Sequence, residues 1–343
     1  MPPQRLPCVR GLLGNLSYTL LDLQNQGMVK DISDPFLLDQ ILDATYPVWG
    51  DGLSRQSYGS WNRAQRLTTW GRDHLARVGL VEGDEVLVSA KRYVFDAQAD
   101  GRPIKVLGIG AVFTPEHRRG QHLASTLVRA MIDDGRADGC DAALLFSEIG
   151  PDLYTRLGFT VVERSCLTIE VPRNRRGAPA VLVRAAEPTD LPLLAEISML
   201  HANGAGFALN RSASLIEFGV LRRRLCAGLG PSGLRSLEFF VAEEGHRAVA
   251  YVVISRGPDG VVLEECGDRD PTGARVGAML ETLAERDPSQ QDRTMRTVLP
   301  GGFRPPQLQV IGSEASREIM MVRALSSVAP DYSRPVYWQT DVF

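Results

Sequence analysis

The chain has 343 residues, 44% hydrophobic and 23% charged, with 38 Lys and Arg against 41 Asp and Glu for a formal charge of −3. That length suits two domains at roughly 100–200 residues each, and the slightly acidic balance speaks against a nucleic-acid binder, which carries a strongly basic face. No apolar run approaches the roughly 18 residues of a membrane span, the start "MPPQRLPCVRGLLGNL" lacks a signal-peptide core, and the five scattered cysteines (Cys8, Cys140, Cys166, Cys226, Cys266) form no C-x-x-C pair. These features lead us to expect a cytoplasmic protein with no membrane partner and no metal site.

In chain order, "NLSYTLLDL" (15–23) reads as a strand. Helical spacing runs from about Pro35 to Arg77, with a break expected at "TYPVWGDGL", where Pro47, Gly50 and Gly52 stand. "EVLVSAKRYVF" (85–95) and "IKVLGIGAVFT" (104–114) are β-rich runs joined by the hairpin signal "DAQADGRP". From Leu123 the apolar residues Leu127, Val128, Met131 and Ile132 recur at helical spacing, and "AALLF" (142–146) suits a buried parallel strand. "PDLYTRLGF" is a short helix that begins at Pro151 and stops at Gly158. "VPRNRRGAPA" (171–180) reads as a linker. Beyond it come a strand and a helix capped by Thr189 or Asp190, a hairpin turning at Glu244–Gly245, and then strand, helix, strand. The second half repeats the element order of the first without a residue-level repeat.

The stretch "GIGAVFTPEHRRGQHLASTLVRAMIDDG" (108–135) carries the chemistry. A strand feeding a helix N-terminus aims several backbone N–H groups at one spot, with the positive end of the helix dipole behind them. Glycine lets an anion approach closely, so Arg118, Arg119 and Gly120 fit a phosphate site; a solvated basic turn is the plain alternative. No G-K-[ST] follows and no G-x-G-x-x-G opens the helix, which excludes the two common nucleotide loops.

"VFTPEHRRGQHLASTLV" resembles the pyrophosphate-loop motif of the GNAT superfamily of N-acetyltransferases, Q/R-x-x-G-x-G/A, with His122 where glycine is usual. "ALLFSEIGPDLYTRLGF", about thirty residues on, resembles the family's fifth strand, short helix and Y-x-x-x-G-[FWY] ending. The closest flavour is that of the fungal-type lysine N6-acetyltransferases and their bacterial relatives. The resemblance implies a mixed α/β GNAT fold, with a catalytic acetyl-CoA domain over residues 12–172 and a degenerate GNAT-like domain over 181–343 in tandem. It implies that backbone groups of Val112, Phe113 and Thr114 pair with the pantetheine arm and polarise the thioester carbonyl. Arg118, Arg119, Gly120, Gln121, His122, Leu123, Ala124 and Ser125 would hold the pyrophosphate, with His122 in ordinary helical geometry.

By the same resemblance Tyr154 is the general acid for the leaving thiolate, a role a phenol of pKa near 10 can fill; the alternative is a packing tyrosine. Ser147 and Glu148 would face the acceptor cleft, Glu148 as base or as helix cap, with Trp49 and Asp51 touching substrate and Trp61 and Trp70 in the core. In the tandem acetyltransferases a terminal carboxylate reaches the active site as base. Phe343, at the end of "RPVYWQTDVF", either does this or simply packs, with Trp338 and Asp341 securing the tail. Where the second half needs its phosphate loop it reads "CGDRDPTGARVGAML", and Asp268 and Asp270 would repel a pyrophosphate. That half would close the acceptor cleft or shape a homodimer contact. The expected function is transfer of acetyl from acetyl-CoA to the primary amine of a small acceptor; the alternative is a CoA-binding sensor or scaffold without turnover.

Overall fold

The computed structural model describes residues 28–173, 179–286, 293–300, 303–328 and 330–343. The strand expected at 15–23 and Cys8 lie outside them. Strand β1 (Met28–Asp31) leads into helices α1 (Pro35–Trp49), α2 (Arg55–Leu67) and α3 (Thr69–His74). Asp34 caps α1 and Ser54 caps α2 through side-chain oxygens. Pro47 does not break α1, which runs on to Trp49. It sits in the last turn, so it costs one ladder hydrogen bond, and the chain turns instead at Asp51 and Gly52, both at positive φ.

Strands β2 (Leu75–Glu82), β3 (Glu85–Ala99) and β4 (Arg102–Phe113) form a meander. The β3–β4 turn is Asp100–Gly101, both left-handed, the pair a tight hairpin of this twist demands. Helix α4 (Leu123–Ala137) then crosses to β5 (Ala142–Ser147), parallel to β4. Short helix α5 (Asp152–Thr155), ended by left-handed Gly158, precedes β6 (Thr160–Val162) and β7 (Ser165–Glu170). The second half adds β8 (Leu182–Ala185), α6 (Leu191–Leu200), β9 (Phe207–Leu209), α7 (Ala213–Leu229), β10 (Ser236–Glu244), β11 (Arg247–Gly257) and β12 (Gly260–Asp268). After these come α8 (Ala274–Arg286), β13 (Thr294–Thr297), β14 (Gln309–Ala315), β15 (Ile319–Ala324) and β16 (Pro335–Val336).

Two mixed sheets result. The first runs β1-β2-β3-β4-β5-β15-β6, and the second β14-β7-β13-β12-β11-β10-β8. Each half therefore lends one strand to the other. β7 lies between β13 and β14 in the second sheet, and β15 lies between β5 and β6 in the first. The first sheet buries one face against α4 through Leu107, Ile109, Leu127, Val128, Leu145 and Met321. Its other face packs Trp70, Tyr93, Phe95 and Leu144 against Leu215 and Phe218 of α7. The same helix presses Ile216 and Val220 onto Phe239, Val241 and Tyr251 of the second sheet. α7 is thus apolar toward both sheets and lacks the single stripe by which a surface helix is recognised, which is why the sequence reading did not find it.

Candidate active site

The site is built around a split in the first sheet. β4 and β5 pair from Val106↔Ala142 to Ile109↔Leu145, and their ladder stops there, short of Gly110–Phe113. At the same point β4 bulges: Ser89 faces Phe113 and Lys91 faces Gly110, so Ala111 and Val112 oppose one residue of β3. Ala111 takes φ +47°, an uncommon conformation for a residue with a side chain. The bulge swings the end of β4 away from β5 and leaves backbone N–H and C=O groups of Gly110–Phe113 facing the gap. Val112, Phe113 and Thr114 are half-buried there, and Trp49 meets Phe113 edge-on at 5.8 Å.

The loop after β4 leads to the N-terminus of α4, which no side chain caps. Gly120 has φ +80° and open space where a side chain would stand. His122 is the N-cap and adopts φ +59°, ψ +12°. This corrects the expectation of ordinary helical geometry. A left-handed turn is what the usual glycine supplies, and the imidazole is carried along at a cost of about 1–2 kcal/mol. His122→Gly is therefore expected to raise stability by up to about 1 kcal/mol after the extra freedom glycine gives the unfolded chain, a rise of about 1–3 °C in Tm by calorimetry. A lowered Tm would contradict the left-handed assignment. Gln121 and His122 are exposed, Leu123 is buried on the sheet, and Ala124 and Ser125 are half-buried in the first turn of α4.

The two arginines are partly engaged. Arg118 forks onto Glu85 at the start of β3, Nε donating to Oε1 at 3.0 Å and Nη2 to Oε2 at 2.5 Å. Arg118 and His117 together hold the Glu85 carboxyl below its usual range. Arg119 Nε donates to the Thr114 carbonyl at 3.3 Å, folding the loop back on β4. Arg118 thus fixes the loop, while the uncapped N–H groups remain to meet an anion.

Tyr154 lies on the α4 side of the split, 7% exposed among Leu123, Leu127 and Leu145. Burial alone pushes its phenol up to about 12. Ser147 is buried and donates to the Gly150 carbonyl at 2.6 Å, closing the turn after β5, whereas Glu148 projects to solvent. On the opposite face lies the end of the chain. The Phe343 ring packs on Tyr93, Phe95 and Phe146 at 4.6, 5.2 and 5.3 Å. Side chains at Gly108 or Gly110 would strike it at 2.8 and 3.2 Å.

Asp51 pairs with Arg235 of the second half, whereas Trp49 meets Phe113 of β4. Trp70 is buried, and Trp61 donates Nε1 to the Arg222 carbonyl at 2.8 Å. The tail is held from the second half. Arg211, fully enclosed, forks onto Glu265 and donates to Thr340 Oγ1 at 3.1 Å, with Asp341 Oδ1 3.1 Å from its Nε. Asp341 also accepts from Trp338 N at 2.9 Å. Arg223 donates to the Gln339 and Thr340 carbonyls and Arg222 to that of Val342. Sequence reasoning missed Arg222 and Arg223 because they lie on α7, and Arg211 because it stands in the loop just before that helix. For the two on the helix the one signal was the apolar, Arg-punctuated run "LRRRLCAGL".

The corresponding spot in the second sheet is occupied by the chain's own carboxylate. Asp268 accepts from the backbone N–H of Asp270 at 2.9 Å and of Arg275 at 2.8 Å, and from Arg275 Nη1 at 3.0 Å. The N-terminal end of α8 is thus filled from within, whereas that of α4 stands open.

Residues 38–162 match the model of the acetyltransferase (GNAT) domain. No curated protein matches the chain in sequence. Among solved structures, the fold is similar to a GCN5-related N-acetyltransferase from Kribbella flavida (TM-score 0.64, 19% identity, covering 88% of this chain and 72% of that one). It is also similar to Saccharomyces cerevisiae N-myristoyltransferase with bound myristoyl-CoA (TM-score 0.55, 11% identity, 92% and 89%). A third is Eis1 from Mycobacterium abscessus (TM-score 0.55, 13% identity, 87% and 74%). The chain thus has the GNAT fold, and its residues 38–162 match an acetyltransferase (GNAT) domain. Among the described residues no helix is long and apolar enough to cross a membrane.

Proposed function

We propose that the chain acetylates the primary amine of a small acceptor, an amino acid or similar amine, by direct attack on the acetyl-CoA thioester. The observation that carries this reading is the β4–β5 split with its bulge at Ala111, flanked by the open N-terminus of α4. The pyrophosphate would lie at that helix end, where N–H groups and dipole favour an anion. The pantetheine arm would pair with the exposed edge at Val112, Phe113 and Thr114, and an N–H of that edge would polarise the thioester carbonyl as the tetrahedral oxyanion forms.

Tyr154 then protonates the departing thiolate from one face of the split. A buried phenol keeps its proton throughout the neutral range, so it is available as an acid. The acceptor arrives from the other face, between Trp49, Asp51 and the tail, and must lose a proton to attack. Glu148 is solvent-exposed, which favours the main-chain carboxylate of Phe343 as base or orienting group. The two sheets with one strand plan support a tandem reading, in which the second half, its helix end filled by Asp268, positions the tail and walls the acceptor cleft. Free thiols at Cys140, Cys166, Cys226 and Cys266 suit a cytoplasmic setting.

The test is release of CoA thiol from acetyl-CoA with a panel of amines, with the acetylated product identified by mass. Turnover with none of them would sink to background and overturn the reading. Four glycines appended after Phe343 leave its ring free to stay on Gly108 and Gly110 but move the charge away. A fall in kcat of about tenfold or more is expected, with acetyl-CoA affinity unchanged, because acid–base roles act on kcat and the pyrophosphate loop lies elsewhere. Full kcat in the extended chain would leave deprotonation to Glu148 or water.

A further inference from the structure

Two glycines alternate along β4 at the inner end of the split, and both turn toward the face that carries Tyr93, Phe95 and Leu144. A Cβ on Gly108 would lie 2.7 Å from Phe95 Cε2 and 2.9 Å from Tyr93 Cβ, and one on Gly110 would lie 3.1 Å from Tyr93 Cε2. Glycine inside a strand weakens it and marks a place where another group comes close to the backbone. Here that group is the ring of Phe343, with Cζ 2.8 Å from the Gly108 Cβ position and Cδ2 3.2 Å from that of Gly110. The opposite face needs no such filler, since Ile109 and Leu145 bring their own side chains to the core under α4.

The glycines thus leave a trough on one face of β4, and the ring fills it. Tyr93 and Phe95 form one wall, with ring centres 4.6 and 5.2 Å from that of Phe343. Phe146 of β5 closes the other wall edge-on at 5.3 Å, backed by Tyr337 stacked on it at 4.9 Å. The tail itself is held by other groups. Arg222 and Arg223 donate to the carbonyls of Val342, Gln339 and Thr340, and Arg211 holds the side chains of Thr340 and Asp341. The ring can therefore be cut away while the tail stays anchored.

The direction of a bound donor brings its acyl group to this trough. With the pyrophosphate at the start of α4 and the arm running along Thr114 to Val112, the thioester comes last and innermost. β4 and β5 make their final pair at Ile109↔Leu145, between the two glycines. A carbon chain continuing inward from the thioester meets the ring there. We propose that the ring of Phe343 sets the acyl length this site accepts: it fills the trough over Gly108 and Gly110, leaving room for the acetyl methyl and none for a longer chain. The proposal rests on the reading of the split as the acyl-donor site and concerns the ring alone.

The experiment measures Kd by calorimetry for acetyl-CoA, butyryl-CoA and hexanoyl-CoA, with the full chain and with Phe343→Ala, which keeps the chain end and removes only the ring. The six ring carbons lost outnumber the four that hexanoyl adds to acetyl, and an apolar cavity left by truncation stays dry and takes apolar guests. In the parent, hexanoyl-CoA binds no more tightly than acetyl-CoA. In Phe343→Ala each methylene that enters the trough tightens binding by up to about fourfold, so hexanoyl-CoA gains about tenfold or more over acetyl-CoA in the same chain. Phe343→Leu, which leaves the trough partly filled, shows a smaller gain and judges the proposal by itself if the alanine variant does not fold. A gain with chain length in the parent, or none in either variant, overturns the proposal. Failure of the parent to bind acetyl-CoA at all overturns the donor reading and this proposal with it. Binding as expected, with no acetyl transfer to any amine, fails the acetyl-transfer reading and leaves the length limit standing.

Discussion

A chain ending at residue 173 is expected to show no cooperative unfolding transition, although it contains the whole span that matches an acetyltransferase domain. The reason lies in the exchanged strands. β15 pairs with β5 along its full length, from Ile319↔Ser147 to Ala324↔Ala142, and with β6 on its other edge. Met320 and Met321 are fully buried, one in the core on each face of the first sheet. Removing β15 exposes the edge of β5, orphans its backbone groups, and empties two core positions, at about 2–5 kcal/mol for each large side chain lost. The truncated chain also ends in β7, an apolar strand with its partners β13 and β14 missing. Against a total stability of about 5–15 kcal/mol these losses are decisive, and an unpaired edge invites aggregation. Circular dichroism and a thermal melt check this. A sharp transition in the truncated chain would mean that the first half folds alone.

Tyr154→Phe is expected to lower kcat by about 10²-fold with the Kd for acetyl-CoA little changed, the range for loss of a positioned proton donor. The fold should be unaffected, since no hydrogen-bonded neighbour contributes to the shift of this phenol and the ring stays in the core. A calorimetric Tm within a degree or two of the parent separates the chemical effect from unfolding. The phenol also has a pH signature. Its folded pKa, raised to about 12, lies above the ordinary 10. Below pH 10 both states keep the proton and Tyr154 contributes nothing to the pH dependence of stability. From pH 10 to 12 the unfolded chain gives up a proton that the folded one retains, so the parent loses stability at up to about 1.4 kcal/mol per pH unit and the variant lacks that component. An unchanged kcat, with chemistry shown to limit turnover, would reduce Tyr154 to a packing residue.

The sequence by itself determined the local elements, among them the loop and helix start that follow β4. The Asp100–Gly101 hairpin, the strand–turn–helix at 108–135 and the short helix ended by Gly158 are written in residues a few positions apart, where turn chemistry and periodicity act directly. Only the tertiary structure decided which strands share a sheet. β7 and β15 carry no mark of their exchange, because a strand pairs with whatever edge the rest of the fold presents. The same holds for His122, whose left-handed turn is imposed by the loop and not preferred by the residue. It holds again where Arg211, Arg222 and Arg223 reach residues 339–342 from far along the chain, and where Lys91 meets Gln65 and Trp61. The one local trace was a lysine in phase with Tyr93 and Phe95 on an otherwise buried strand. A charge at an inward position records that something polar must answer it, and only the folded chain brings the candidates together.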